Sequence, residues 1–240
     1  GPLIFDDRLT ILENRSIRVT FTPPAGSSWE VGTQLFPTPD PYTFTAPNLQ
    51  YFMDSPTEVS AFMTSSFAVA GADGAASQFR LVVHADAAPA DVDELARLVQ
   101  RLVREARGVF GEFPKFEPGA YTFLLDYSAS AAGDGMEHRN STFISEPGLS
   151  LRDPGNRRAA LDAISHEFFH AWNVERIRPA GLEPFDFTRE NITSCLWVAE
   201  GFTQYYGELL QVRAGFSDNV PVDYAAELLN LPARHIRSVD

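Results

Sequence analysis

Cysteine is almost missing from this chain: one, Cys195, among 240 residues. A lone thiol excludes an internal disulfide and a multi-cysteine metal cluster. It is compatible with the cytoplasm and the periplasm alike. Positive charge is scarce too, with 19 basic residues against 32 acidic ones and a formal net charge of -13. Such a surface repels phosphate backbones and anionic headgroups, so neither nucleic acid nor a membrane surface is an expected partner. No apolar run reaches the roughly 18 residues of a spanning helix. The chain opens at Gly1-Pro2 with no basic-then-apolar leader. What is present is an ordinary globular balance, 44% hydrophobic and 21% charged. The length suits one large domain or two small ones.

The periodicity divides the chain. Ser16 to Phe21 alternates apolar with polar positions, with Ile17, Val19 and Phe21 on one side, and proline clusters at 23–24, 37–41 and 56 punctuate the next forty residues or so. Residues 1–76 therefore read as a β-rich N-terminal domain. The small residues of 71–77 are the expected linker. After it come a strand at 79–83, an amphipathic helix at 91–107 with Asp91 as N-cap, and strands at 120–127 and 142–145. Helices are expected at 161–176, 195–212 and 222–231. The fold class expected is α+β, with the second domain spanning 77–240.

The strongest chemical signal is His166-Glu167-Phe168-Phe169-His170. Residues four apart on a helix share a face, so both imidazoles can reach one metal ion. Leu161, Ile164, Phe168, Phe169 and Trp172 pull the same helix into a core. Two neutral imidazoles on a half-buried face are costly without a partner. Catalytic zinc takes three protein ligands and keeps one position open. Glu200, an acid on the apolar helix start 196–203, is the leading third ligand. Glu183, Asp186 and Glu190, in the loop between the helices, are alternatives.

Five segments carry a resemblance: Tyr51 to Pro56, Phe110 to Pro114, Gly135 to Thr142, His166 to Pro179, and Leu196 to Tyr206. They resemble the bacterial glycyl aminopeptidase family of gluzincin zinc metallopeptidases, which has a thermolysin-like catalytic domain. The resemblance implies one catalytic Zn2+ held by His166, His170 and Glu200, with Glu167 as the catalytic acid/base. It implies a peptide substrate with a free N-terminus, and a preference for small first residues, glycine and alanine. Gly135, Met136 and Glu137 would bind that substrate, with Glu137 neutralising the α-ammonium. Family members are usually longer, so the resemblance also implies a catalytic domain incomplete at its C-terminal side. The missing part would hold a tyrosine-bearing segment and a PDZ-like domain. A catalytically incomplete fragment acting as a binding module is one alternative reading. An endopeptidase is the alternative if Glu137 is not at the mouth of the site. For the oxyanion donor, His138, Tyr205, Tyr206, Arg176 and Arg178 are all candidates. For the outer partners of the histidines, Glu208, Asp162 and backbone carbonyls compete.

Overall fold

A computed structural model describes residues 15–71, 74–182, 186 and 189–216. The helix expected at 222–231 and the alternative ligand Glu183 lie outside them. Five short strands and a helix come first: β1 (Ile17–Thr20), β2 (Glu30–Thr33), β3 (Phe36–Pro37), β4 (Thr43–Ala46), α1 (Leu49–Met53) and β5 (Thr57–Ser60). They build two small sheets, ordered β1-β4-β3 and β2-β5. Helix α1 is the one helical insertion among the described residues of this β-rich stretch. Asn48 caps it, its side chain accepting from the Tyr51 amide at 2.8 Å.

Next come β6 (Met63–Ala70), β7 (Ala76–His84), α2 (Pro89–Phe110), β8 (Ala120–Asp126), β9 (Asp134–His138) and β10 (Ser141–Ser145). Helices α3 (Pro154–Phe169) and α4 (Leu196–Arg213) complete the described chain. The central sheet runs β6-β7-β8-β10-β9, with β7, β8 and β10 parallel and an antiparallel strand at each edge. Strands β6 and β7 form one hairpin across the small residues read as a linker. A boundary at 76/77 falls inside that hairpin. On this pairing we propose that the division between the two parts lies before Met63.

One face of the central sheet carries Phe79, Leu81, Val83, Tyr121, Phe123 and Leu125 into a core shared with α2 and α3. Helix α2 begins at Pro89, two residues before the expected start. Proline at a first helical position forfeits no hydrogen bond. Asp91 acts from inside the first turn, its carboxylate accepting from the Ala88 amide at 2.8 Å. The opposite face of the sheet is covered by the N-terminal strands. Gly32 of β2 lies so close that an added Cβ would sit 2.7 Å from a Val82 methyl. Beside it Gln34 Nε2 donates to the carbonyls of Ala120 and Asn140 and to Thr122 Oγ1, and Arg80 donates to Thr33 O at 2.8 Å.

Helix α3 starts seven residues earlier than its apolar pattern predicts and stops at Phe169, not Arg176. The start is set by Asp153, whose carboxylate accepts from the Gly155 amide at 2.7 Å, and by Pro154 in the first turn. The sequence hides the end because Trp172 continues the apolar pattern past the last helical turn. Its ring stacks on Phe110 at 4.8 Å, while the backbone closes a tight turn through Ile177 N to Trp172 O.

Candidate metal centre

The site is assembled by packing before it is assembled by chemistry. Phe168, the residue after Glu167, is fully buried. Its ring meets Phe79 at 5.8 Å, Tyr121 at 5.0 Å and Phe123 at 5.5 Å. Burying such a side chain stabilises by about 1.5–3 kcal/mol. The aromatic cluster fixes the rotation of α3, which leaves His166 and His170 on the flank facing α4. Gly207 lets α4 come close there: an added Cβ would lie 3.2 Å from both the Cα and the amide nitrogen of His166. Seven residues before Gly207 and on the same face, two helical turns away, stands Glu200.

The three side chains converge. His166 Nε2 and His170 Nε2 are 3.2 Å apart, and Glu200 Oε2 lies 3.3 Å from the first and 3.6 Å from the second. Ligands at about 2.0–2.1 Å around a tetrahedral zinc stand roughly 3.3–3.4 Å from one another. The donor atoms therefore already have the spacing of one face of such a tetrahedron. Their protonation agrees. His170 Nδ1 faces the Asn173 carbonyl at 2.7 Å, and His166 Nδ1 faces Gln204 Oε1 at 3.0 Å. Both Nδ1 atoms are thus the donors, and both Nε2 lone pairs point at the same place. Two lone pairs and a carboxylate oxygen cannot satisfy one another, whereas a cation satisfies all three. The donor set fits zinc. Burial, helped by the neighbouring His170, also lowers the His166 pKa and keeps that imidazole neutral.

The outer partners agree only in part with the sequence expectation. A backbone carbonyl serves His170, which was one of the competing candidates, but Gln204 rather than Asp162 or Glu208 serves His166. Glu208 acts one step further out, accepting from Gln204 Nε2 at 2.7 Å. Asn173 is a residue that the sequence did not single out. Its carbonyl orients His170, while its amide donates to Val198 O, Ala199 O and Thr203 Oγ1, each at 3.1 Å. One residue therefore ties the second histidine to the helix that carries Glu200. Among the alternative third ligands, Asp186 is paired with Arg189 at 2.7 Å.

Glu167 lies beside the three donor atoms and is 8% exposed. Burial, and then the nearby Glu137, Glu200 and Asp134 carboxylates, push its pKa up to about 8. Its Oε2 is buried with no hydrogen-bond partner. The carboxylate is seated under the edge strand β9, where Gly135 leaves it room: a Cβ on Gly135 would fall 2.6 Å from Glu167 Oε1. Glu137, two residues along that strand and half-buried, brings a carboxylate oxygen within 4.8 Å of both Glu167 and His170. Met136 alternates to the other side and is 51% exposed. The oxyanion candidates are mostly engaged elsewhere. His138 Nδ1 is 2.9 Å from Asp54 Oδ1, Arg176 donates to the Ala171, Arg139 and Lys115 carbonyls, and Arg178 donates to Glu175 at 3.0 Å. The Tyr206 ring stacks on Phe169 at 4.9 Å.

Two family profiles match this chain. Residues 8–61 match the N-terminal domain of the M61 peptidases, and residues 159–239 match the M61 glycyl aminopeptidase profile. The two parts of one family's signature occur here in order, and the chain belongs to that family. No curated protein sequence matches it significantly. Among solved structures, an aminopeptidase N family protein from Idiomarina loihiensis superposes with a TM-score of 0.71 at 24% identity, over 85% of this chain and 35% of that one. An M1 zinc metallopeptidase from Deinococcus radiodurans gives 0.54 at 19% identity, over 93% and 46%. A variant of that enzyme bound to a Tyr-Ser-Ala substrate gives 0.52 at 20%, over 90% and 45%. This chain thus shares their fold and spans less than half their length.

Proposed function

We propose that the chain carries the catalytic centre of a zinc-dependent aminopeptidase that removes small N-terminal residues from peptides. The observation that carries this reading is the convergence of an edge-strand carboxylate, Glu137, on Glu167 and on His170, one corner of the metal-ligand triangle. Zinc fits His166, His170 and Glu200, and when bound it supplies Lewis acidity for the scissile carbonyl and the attacking water. The chain's own groups do the rest. The open edge of β9 offers backbone amides and carbonyls to an extended peptide. Glu137 neutralises the peptide's ammonium and so sets the cut one residue from the end. Glu167 takes the water's proton on its unpartnered Oε2 and returns it to the leaving amine. The preference for glycine and alanine is supported by the family match alone.

The test is a cycle of two enzymes by two substrates, run in the full-length protein. Glu137→Ala should lower kcat/KM strongly for free-amine peptides, since breaking one side of a desolvated charge pair costs about 2–5 kcal/mol. It should have far less effect on N-acetylated peptides, and the two changes should be non-additive. Equal losses on both substrates would mean that Glu137 does not read the amino terminus, and the endopeptidase reading would replace this one.

A further inference from the structure

A second convergence of ligand atoms lies away from this site, on the face of the central sheet turned towards the N-terminal strands. His84 ends β7 and Asp126 ends β8, and the two are register partners on adjacent parallel strands. Glu58 reaches them from β5 of the N-terminal sheet. It is paired with Gly32, the residue whose missing side chain lets that sheet settle against Val82. His84 Nδ1 is 3.3 Å from Glu58 Oε1 and 3.2 Å from Asp126 Oδ1, and the three residues each offer a ligand atom within 4.8 Å of the others'.

The simplest alternative is a protonated imidazole whose one Nδ1–H is shared between the two acids. The His84 contacts are 3.2 and 3.3 Å. That is close to the spacing of His166 and His170 to Glu200, 3.3 and 3.6 Å, where the donor set fits a shared cation. Among the described residues neither Glu58 nor Asp126 has another basic partner. Apart from His84, Asp126 Oδ1 meets the Ser128 amide, from which it accepts at 3.0 Å. Two carboxylates brought this close, with the Glu58 side chain 12% exposed, need a positive charge between them, which a bound divalent cation supplies in full where a protonated His84 supplies one unit.

We propose that Glu58, His84 and Asp126 form a second divalent-cation site, which clamps the N-terminal sheet to the central one. One imidazole and two carboxylates suit a borderline transition ion such as Zn2+, with water completing its coordination, rather than Ca2+ or Mg2+, which prefer all-oxygen sites. The side chains are partly exposed, so the ion exchanges with solvent and serves structure, not catalysis. The proposal does not depend on the peptidase reading.

The test counts zinc by titrating the chelator-treated protein with Zn2+ alone, in calorimetry. The native chain should take up two equivalents. The His166→Ala/His170→Ala double variant should keep one, and this remaining equivalent should vanish when His84→Gln or Glu58→Gln is added. Zn2+ should also raise the melting temperature of the double variant, and that rise should disappear in the His84→Gln and Glu58→Gln backgrounds. The metal-free melting curve of each variant reports whether it folds, so a folding defect is separable from lost binding. A double variant that binds no zinc, or one whose uptake and melting are unaltered by His84→Gln, leaves an imidazole–carboxylate ion pair only and overturns the proposal.

Discussion

Replacing Gly135 by alanine tests whether the seat of Glu167 is as tight as the geometry says. An alanine Cβ would lie 2.6 Å from Glu167 Oε1 and 3.2 Å from its Cδ. Ordinary contact begins near 3.4 Å, so the carboxylate must retreat by roughly 0.8 Å. It retreats into a site whose other walls are the acids Glu137 and Glu200. A misplacement of about 1 Å in a reacting group costs on the order of 10²-fold in rate. The fold has no reason to suffer, because Gly135 lies in an edge strand with ordinary strand pairing. The expected result in the full-length protein is a loss of about 10²-fold in kcat on an alanyl peptide, with zinc content and melting temperature near native. Gly201→Ala is the control. It sits beside Glu200, yet an added Cβ there meets nothing within 4 Å, and alanine inside a helix stabilises by about 1 kcal/mol. Turnover of Gly135→Ala within a factor of a few of the native enzyme would refute the argument that Glu167 works from this seat.

Three further outcomes rest on the same packing. Glu167→Gln should keep fold and zinc but lower turnover by about 10² or more, read by single-turnover hydrolysis alongside elemental analysis. Gly207→Ala should prise α4 from the His166 backbone by a few tenths of an ångström and weaken zinc binding by about 10-fold or more, measured by chelator competition; unchanged affinity would show that the close approach is not needed to place Glu200. Phe168→Ala should cost about 3–5 kcal/mol in denaturant unfolding, since it empties the contact of α3 with Phe79, Tyr121 and Phe123.

The residues that announced the centre share one property: their type is conspicuous in its local setting. Two histidines one helical turn apart on a helix that packs into the core, and an acid at the apolar start of another, stand out from their surroundings. Gln204 and Asn173 carry no such mark. A neutral amide on a helix, and a backbone carbonyl in a turn, are legible only once α3 and α4 are packed together. Gly135 and Gly207 did carry a signal, since glycine within a strand or helix marks close approach; what approached them was not in the local pattern. The strand at 79–83 and the α2 helix were readable because their periodicity is set by a single buried face. The misplaced α3 end and the hairpin taken for a linker failed for one reason. Trp172 and the small residues of 71–77 have the right local character for a helix and a linker, and their real roles are fixed by partners distant in the sequence, Phe110 and the β6–β7 pairing.

The open edge at Asp134–His138 has a bearing on how the molecule behaves in a crowd. Among the described residues β9 ends the central sheet, and a sheet edge that can take an extended peptide can also take a strand of a second copy of this chain. Two such edges zipped together would gather four carboxylates, from Asp134 and Glu137 of each, around a centre that already pushes the Glu167 pKa to about 8. Like charges would oppose that pairing, while on the proposed reading a single ammonium at the tip of a peptide would be drawn in. The same acids would then select the visitor and disfavour pairing of two edges.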